Sequence, residues 1–262
     1  MDSGERTPAL IYRESGDQTS IPVRIAAHGS IFVVFQHPSG IHAVEASHDG
    51  HPLFPSVESG AGTYASSHKV FATEPGDYQL KLSNGKQQTI HIATSTSQPT
   101  LAGPWTLSFP ANWGAPASIN VDKLQSWTDS TIPGVRYFSG TGTYANSINV
   151  PADLLAGHRA IWLNLGDARE VVTVAINGKD LRTLWHGPYI VRIDPALHPG
   201  TNSLSIRVTN LWPNRIIGDK QPSEQVHYTH TNAEHYTKDS PLLPSGLLTP
   251  VTFEVFEGHP VQ

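Results

Sequence analysis

Apolar and polar residues alternate with a period of two in several short runs of this chain, and turn-forming residues separate the runs. In the clearest one, Leu204, Ile206 and Val208 alternate with Ser205, Arg207 and Thr209 after a Pro199-Gly200 turn. Successive side chains of a strand point to opposite faces, so this run predicts a half-buried β-strand. A run over Val171–Ile176 ends at Asn177-Gly178, two residues that accept positive φ and therefore predict a tight hairpin. Further strands are predicted at 105–109, 142–150, 160–165, 190–193 and 251–256. Upstream, strands are predicted at 10–12, 42–46, 69–71, 77–82 and 88–92, the last two joined by an Asn84-Gly85 hairpin and preceded by a Pro75-Gly76 turn. The continuous apolar run 30–35 predicts a buried strand.

Many short strands at turn-punctuated spacing predict an all-β chain, with helix confined to short turns such as 152–155. The 22 Gly and 21 Pro fit strands joined by many turns. The polar stretch 93–99, Ala-Thr-Ser-Thr-Ser-Gln-Pro, has no core signal and is expected to be a linker. It divides a small antiparallel β-sandwich over 1–95 from a jelly-roll β-sandwich over 100–258. Between Trp212 and Pro250 lies a long stretch without periodicity but with Pro213, Pro222, Pro241, Pro244 and Pro250. Such a stretch inside a compact domain is expected to be a functional segment or a packed flap over a sheet edge.

A net charge of -5 and a pI near 6.2, with no basic stripe, argue against nucleic acid or an anionic membrane as partner. Cysteine is absent, which excludes a disulfide framework, a Cys zinc site and a thiol nucleophile. The start Met1-Asp2-Ser3-Gly4-Glu5-Arg6 has no apolar core of a signal peptide, and no apolar run has the length of a membrane helix. Periplasmic or secreted placement in a bacterium is nonetheless expected over a cytoplasmic one.

Other segments carry a family resemblance. Val174-Ala175-Ile176-Asn177-Gly178, Trp185-His186-Gly187-Pro188-Tyr189 and the strand from Pro199 to Asn210 resemble the sugar-binding, galactose-binding-like jelly roll of family 2 glycoside hydrolases. Gly103-Pro104-Trp105, Trp113-Gly114-Ala115-Pro116, Gly134-Val135-Arg136-Tyr137-Phe138, Trp212-Pro213-Asn214-Arg215 and the run from His235 to Leu248 appear in an order similar to the C-terminal end of family 106 glycoside hydrolases, the α-L-rhamnosidases. That likeness covers nearly all of 100–256 and extends weakly to 22–35. It implies a C-terminal piece of such an enzyme, or a free-standing relative of that piece, in a carbohydrate context. The catalytic carboxylates of that family sit in an N-terminal barrel with no counterpart here, so no catalytic residue carries over.

Sugar recognition needs an aromatic face for the C–H side of the ring and polar groups for its hydroxyls. Arg136, Tyr137, Trp185, Tyr189, Asn210, Trp212, Arg215, Asp219 and Tyr236 supply those types and are the expected ligand-binding residues. A structural alternative has Trp185 and Trp212 packing the sandwich edge and Arg215 paired with Asp219. A glycosidase needs two carboxyls flanking the sugar, and Glu234 with Asp239 is the pair an enzymatic reading would use; Asp167, Glu170, Asp219 and Glu224 are further carboxylates in loops. His227, His230 and His235 fit no zinc pattern. No metal ligands or cofactor are expected beyond a structural calcium, for which Glu254 is the candidate by analogy of fold. No Gly-x-Ser-x-Gly elbow is present. Two readings follow: a carbohydrate-binding or accessory module whose partners are a rhamnose-containing plant or bacterial glycan and the catalytic domain of a larger enzyme, or a small stand-alone glycoside hydrolase. A third is a purely structural domain of a larger enzyme.

Overall fold

The computed structural model describes residues 9, 11–23, 25, 30–35, 40–54, 63–66, 69–72, 75–92, 100–156, 159–232 and 235–260. The chain divides into two compact units. One comprises Met1–Gln98, Asp153–Ile161 and Glu254–Gln262, the other Pro99–Ala152 and Trp162–Phe253. The expected linker 93–99 lies outside the described residues.

The first unit contains β1 (Arg13–Ser15), β2 (Gln18–Ser20), β3 (Ala43–His48), β4 (His51–Phe54), β5 (Thr63–Ser66), β6 (Lys69–Ala72), β7 (Gly76–Leu82) and β8 (Gln87–Ile92). A four-stranded antiparallel sheet runs in the order β4-β3-β7-β8. Strand β7 shows the period of two directly: Tyr78, Leu80 and Leu82 are buried while Gln79 and Lys81 face out. With Ile11, Ala43, Ala46 and Ile90 they form the unit's core. The Asn84-Gly85 turn forms as the sequence predicts, with Gly85 at φ +83°. The strand expected at 10–12 is reduced to one bridge from Ile11 to Ala43.

The buried strand expected at 30–35 is not found. These residues belong to no strand, and Phe32, Val34 and Phe35 are largely exposed, Phe35 to 76%. From Ile31 to Phe35 the run is apolar at every position, so it has no polar face to set its orientation, and its burial depends on a second apolar surface to cover it.

The second unit contains β9 (Trp105–Ser108), β10 (Ser118–Val121), α1 (Pro133–Arg136), β11 (Thr141–Val150), α2 (Ala152–Leu155), β12 (Arg159–Asn164), β13 (Ala168–Arg169), β14 (Val171–Ile176), β15 (Lys179–Leu184), β16 (Ile190–Arg192), β17 (Gly200–Thr209), α3 (Pro213–Asp219) and β18 (Gly246–Leu247); the short α2 and β12 straddle the division between the units. The last strand, β19 (Thr252–Pro260), pairs through 258–260 with β6, and this pairing lies within the first unit. The chain is thus an all-β sandwich. In the second unit a six-stranded antiparallel sheet runs β10-β9-β11-β17-β14-β15. Its centre is the ten-residue pairing of β11 with β17, from Thr141 opposite Thr209 to Val150 opposite Gly200. Leu204, Ile206 and Val208 turn inward as the alternation predicts, together with Val172, Val174 and Ile176 of β14. Leu163 of β12 and Val191 of β16 are buried on the strands of a second pairing. Asn177 at φ +51° and Gly178 at φ +77° make the predicted hairpin between β14 and β15.

Two polar knots fix this unit. Asn202, fully buried, donates from Nδ2 to the carbonyls of His198 (2.7 Å) and Gly200 (3.0 Å) and accepts on Oδ1 from His198 N (3.0 Å) and Asn177 Nδ2 (2.8 Å). It ties the Pro199-Gly200 turn to the Asn177-Gly178 hairpin. Inside the sandwich, Trp127, Phe109, Phe138 and Tyr144 pack ring against ring. The Tyr144 hydroxyl accepts from Trp127 Nε1 (2.6 Å) and from Leu247 N (3.1 Å). Gly246, at φ +91°, passes so close that a Cβ there would collide with the Trp127 indole nitrogen and the Tyr144 hydroxyl.

Burial pushes the Tyr144 phenol up to about 12, against the lowering effect of its two donors. In the unfolded chain the same phenol ionises near 10.0. The folded state therefore holds this proton more tightly, and the stability it contributes is present below pH 10.0 and lost as the pH rises toward about 12. Alkaline titration followed by phenolate absorbance should show a tyrosine step near the upper value, missing in Tyr144→Phe. At neutral pH that variant, which leaves two buried donors without an acceptor, should lose roughly 1–3 kcal/mol in denaturant unfolding.

Candidate functional site

The stretch after β17 begins with a helix, not the irregular segment the sequence predicts. Pro213 at the first turn of α3 fits a position where no N–H is needed. The helix buries Asn214, Arg215, Ile217 and Asp219. Arg215, 1% exposed, donates from Nε to Asp219 Oδ1 at 2.8 Å and from Nη2 to Glu224 Oε2 at 3.3 Å. Its guanidinium carbon lies 4.9 Å from the centre of the Tyr228 ring, a cation–π contact. The other oxygen of Asp219 accepts from Tyr228 N, Thr229 N and Thr229 Oγ1 at 3.0, 2.7 and 2.6 Å. Asn214 donates to the Leu243 carbonyl (2.7 Å) and to Ser245 Oγ (3.0 Å), and Asn210 donates to the Phe138 carbonyl and to Ser245 Oγ, both at 2.9 Å.

Asn210, Arg215 and Asp219, three of the nine residues expected to bind ligand, are therefore interior groups whose bonds run to other parts of the protein. The physical reason is their place on α3 and at its entry, where a buried charge needs a buried partner. The Arg215–Asp219 pairing is the one the structural alternative described.

The remaining six do not gather in one place. Trp212 is 56% exposed and meets Trp113 edge-on at 5.9 Å, while Trp113 stacks on Tyr228 at 6.5 Å. Trp113 and Tyr228 were not among the expected ligand residues; the signal available for Trp113 was its position between Asn112 and Gly114, two turn residues with positive φ. Arg136, with its guanidinium carbon 5.9 Å from the Tyr137 ring centre, lines a shallow hollow of about 360 Å³ with Tyr137, Thr128, Lys238 and Asp239. Tyr236 is half-buried just before it in sequence. Asp239 pairs with Lys238 at 2.7 Å and is 76% exposed. Glu234 lies outside the described residues. His227, His230 and His235 lie in the irregular stretch. Among the described residues no group of three His, Asp or Glu side chains converges to hold a metal ion.

Trp185 and Tyr189 line a second hollow, of about 460 Å³, with Asp167, Arg169, Glu170 and His186. One wall is built around β13, which pairs with β18. Asp167 is fixed through its backbone, N to Thr249 Oγ1 (2.8 Å) and O from Leu248 N (2.9 Å), and Glu170 N donates to the Thr209 carbonyl (3.0 Å). The other wall is the turn after β15. Its Tyr189 hydroxyl donates to the Glu170 carbonyl at 2.6 Å, and its Tyr189 carbonyl accepts from Leu165 N at 2.9 Å. These bonds clamp the walls together while Trp185 stays 53% exposed, its ring edge-on to His186 at 4.5 Å. Arg169 Nη2 donates to Asp167 Oδ2 at 2.9 Å, a bond that holds the guanidinium charged. Burial pushes the Tyr189 phenol above its ordinary range, the Glu170 and Asp167 carboxylates add to that rise, and Arg169 opposes it. Asp167 and Glu170 were noted in the sequence only as loop carboxylates; Arg169 and His186 were missed, being single polar residues beside short strands.

No protein-family model matches the chain. A putative beta-glucuronidase from Formosa agariphila is 32% identical over 206 residues, which is 69% of this chain and 18% of that protein. The structure of a rhamnosidase from Novosphingobium sp. PP1Y superposes with a TM-score of 0.58 and 26% identity, over 81% of this chain and 24% of the rhamnosidase. A beta-glucuronidase from Ruminococcus gnavus aligns over 61% of this chain and 28% of its own, at 21% identity and a TM-score of 0.43. The chain is a glycoside hydrolase-like β-sandwich. This glycosidase-like sandwich spans 18% of the length of the first relative and 24% of the second.

The buried Arg215–Asp219 pair holds residues 220–231 against α3, and a buried pair broken on one side costs about 3–5 kcal/mol. Asp219→Ala should lower the unfolding free energy by roughly that amount. It should also expose Lys220 to trypsin under conditions in which the unaltered protein resists it, which limited proteolysis with mass analysis of the fragments would show.

Proposed function

We propose that this chain is a carbohydrate-binding accessory module of an α-L-rhamnosidase-like glycoside hydrolase. Its partners on this reading are a rhamnose-containing glycan outside the cytoplasm and the catalytic domain of a larger enzyme. The observation that carries the proposal is the hollow beside Trp185. A half-exposed indole offers a flat apolar face for the C–H side of a sugar ring. The Asp167 carboxylate and the Arg169 guanidinium beside it offer an acceptor and donors for neighbouring hydroxyls. Both walls are held by backbone hydrogen bonds, so binding orders few groups and loses little entropy. Likeness to a rhamnosidase structure, over most of this chain, supports the sugar class.

The enzymatic reading finds less support. A glycosidase acid keeps its proton because an apolar pocket surrounds it, whereas Asp239 stands in solvent beside Lys238.

The test is calorimetric titration with rhamnose-terminated oligosaccharides, paired with indole fluorescence. Trp185→Ala should weaken binding by more than tenfold, about 1.4 kcal/mol. Its unfolding free energy should stay within roughly 0.5 kcal/mol of the unaltered protein, as for other exposed positions. Unchanged affinity in that variant would place the binding surface elsewhere and sink the proposal.

A further inference from the structure

From the charges that line the same hollow we infer that its ligand is a neutral sugar and that sugars carrying a carboxylate are excluded. This inference rests on the carbohydrate-binding reading of the Trp185 hollow and adds the class of sugar to it.

The charged side chains lining the hollow are Asp167, Glu170 and Arg169, with His186 as the remaining titratable ring beside Tyr189. Two carboxylates face one guanidinium, and that guanidinium is already engaged by Asp167 at 2.9 Å. The Asp, Glu and Arg side chains lining the hollow thus sum to one negative charge. The upward push that Glu170 and Asp167 exert on the Tyr189 phenol, larger than the opposing pull of Arg169, reports the same negative field inside the hollow.

A neutral ring suits this arrangement. A carboxylate is an acceptor for two hydroxyls at once, and the guanidinium has donors beyond the one it gives to Asp167. A uronate would have to set a third carboxylate beside Asp167 and Glu170. The cost of that approach is only partly offset by Arg169, whose single positive charge already faces two carboxylates. A site selective for uronates would carry a further Arg or Lys not paired with a carboxylate of the protein, since a carboxylate ligand is best held by a bidentate guanidinium. No such cation lines the hollow among the described residues. The inference thus runs against a glucuronide, the sugar in the names of two of the relatives.

The experiment is calorimetric titration of the full chain at neutral pH with methyl α-L-rhamnopyranoside. Matched pairs follow: the methyl glycosides of glucose and glucuronic acid, of galactose and galacturonic acid, and of mannose and mannuronic acid. At least one neutral glycoside should bind at least tenfold more tightly than every uronate. Glu170→Gln should narrow that gap while the neutral glycoside still binds, which also shows that the variant folds. Raising the salt concentration should narrow it too, because screening weakens the repulsion. A uronate that binds as tightly as its neutral partner, or more tightly, overturns this inference and leaves the carbohydrate-binding reading standing. Absence of binding by any glycoside overturns both.

Discussion

The second unit depends on the pairing of one buried arginine with one buried aspartate. Arg215 and Asp219 sit a turn apart on α3, almost fully enclosed. Two charges withdrawn from water are tolerated only when their remaining hydrogen-bonding capacity is filled. Here it is filled from the irregular stretch that follows. Glu224 takes a second guanidinium nitrogen, Tyr228 lays its ring against the cation, and the backbone of Tyr228 and Thr229 donates to the free carboxylate oxygen. The stretch is therefore not shaped by an apolar core of its own. It takes its path from the need of two charges for partners, and it carries Tyr228 into contact with Trp113. Asn210, Asn214 and Ser245 extend the same logic to residues 243–245.

The hollow beside Trp185 is built on a different principle. Its walls are strand ends and turns on the same unit, and it is fixed by backbone groups that would otherwise lack partners. A strand that ends without a neighbour leaves N–H and C=O groups to be satisfied. The Tyr189 hydroxyl and the Thr249 side chain take up such groups at Glu170 and Asp167. The side chains of Asp167, Arg169 and Trp185 are then left facing a space that their own backbone has already made rigid.

Local signals in the sequence were legible where the period and the turn chemistry agreed. Leu204, Ile206 and Val208 alternate, and Asn177-Gly178 favours a tight hairpin, so β14, β17 and the turn out of β14 follow from their residues alone. The run 30–35 misled because apolar content without alternation reports a wish for burial and not a partner for it. At the site, residue type was legible and grouping was not. Trp185 and Tyr189 were read as ligand residues four positions apart and share one hollow, but Asp167 and Arg169 reach it from another loop, which the Tyr189 hydrogen bonds to Glu170 and Leu165 hold against them. Arg215 was read both as a ligand group and as a partner of Asp219. Its chemistry allows either, and burial decides for the second.

The six-stranded sheet ends, among the described residues, on β15, whose outer row reads Lys179, Asp180, Leu181, Arg182. Asp180 reaches across β14 to Arg207 on β17 at 2.7 Å, and that bond pulls its carboxyl below its ordinary range. An open edge of a sheet is a template on which a second copy can add a strand. Three charged residues in four positions make that addition unfavourable, because a copy pairing there would bring like charges into register. The charged rim thus acts on association and not on folding: it disfavours the addition of a second copy's strand at the edge where the sheet would otherwise accept one.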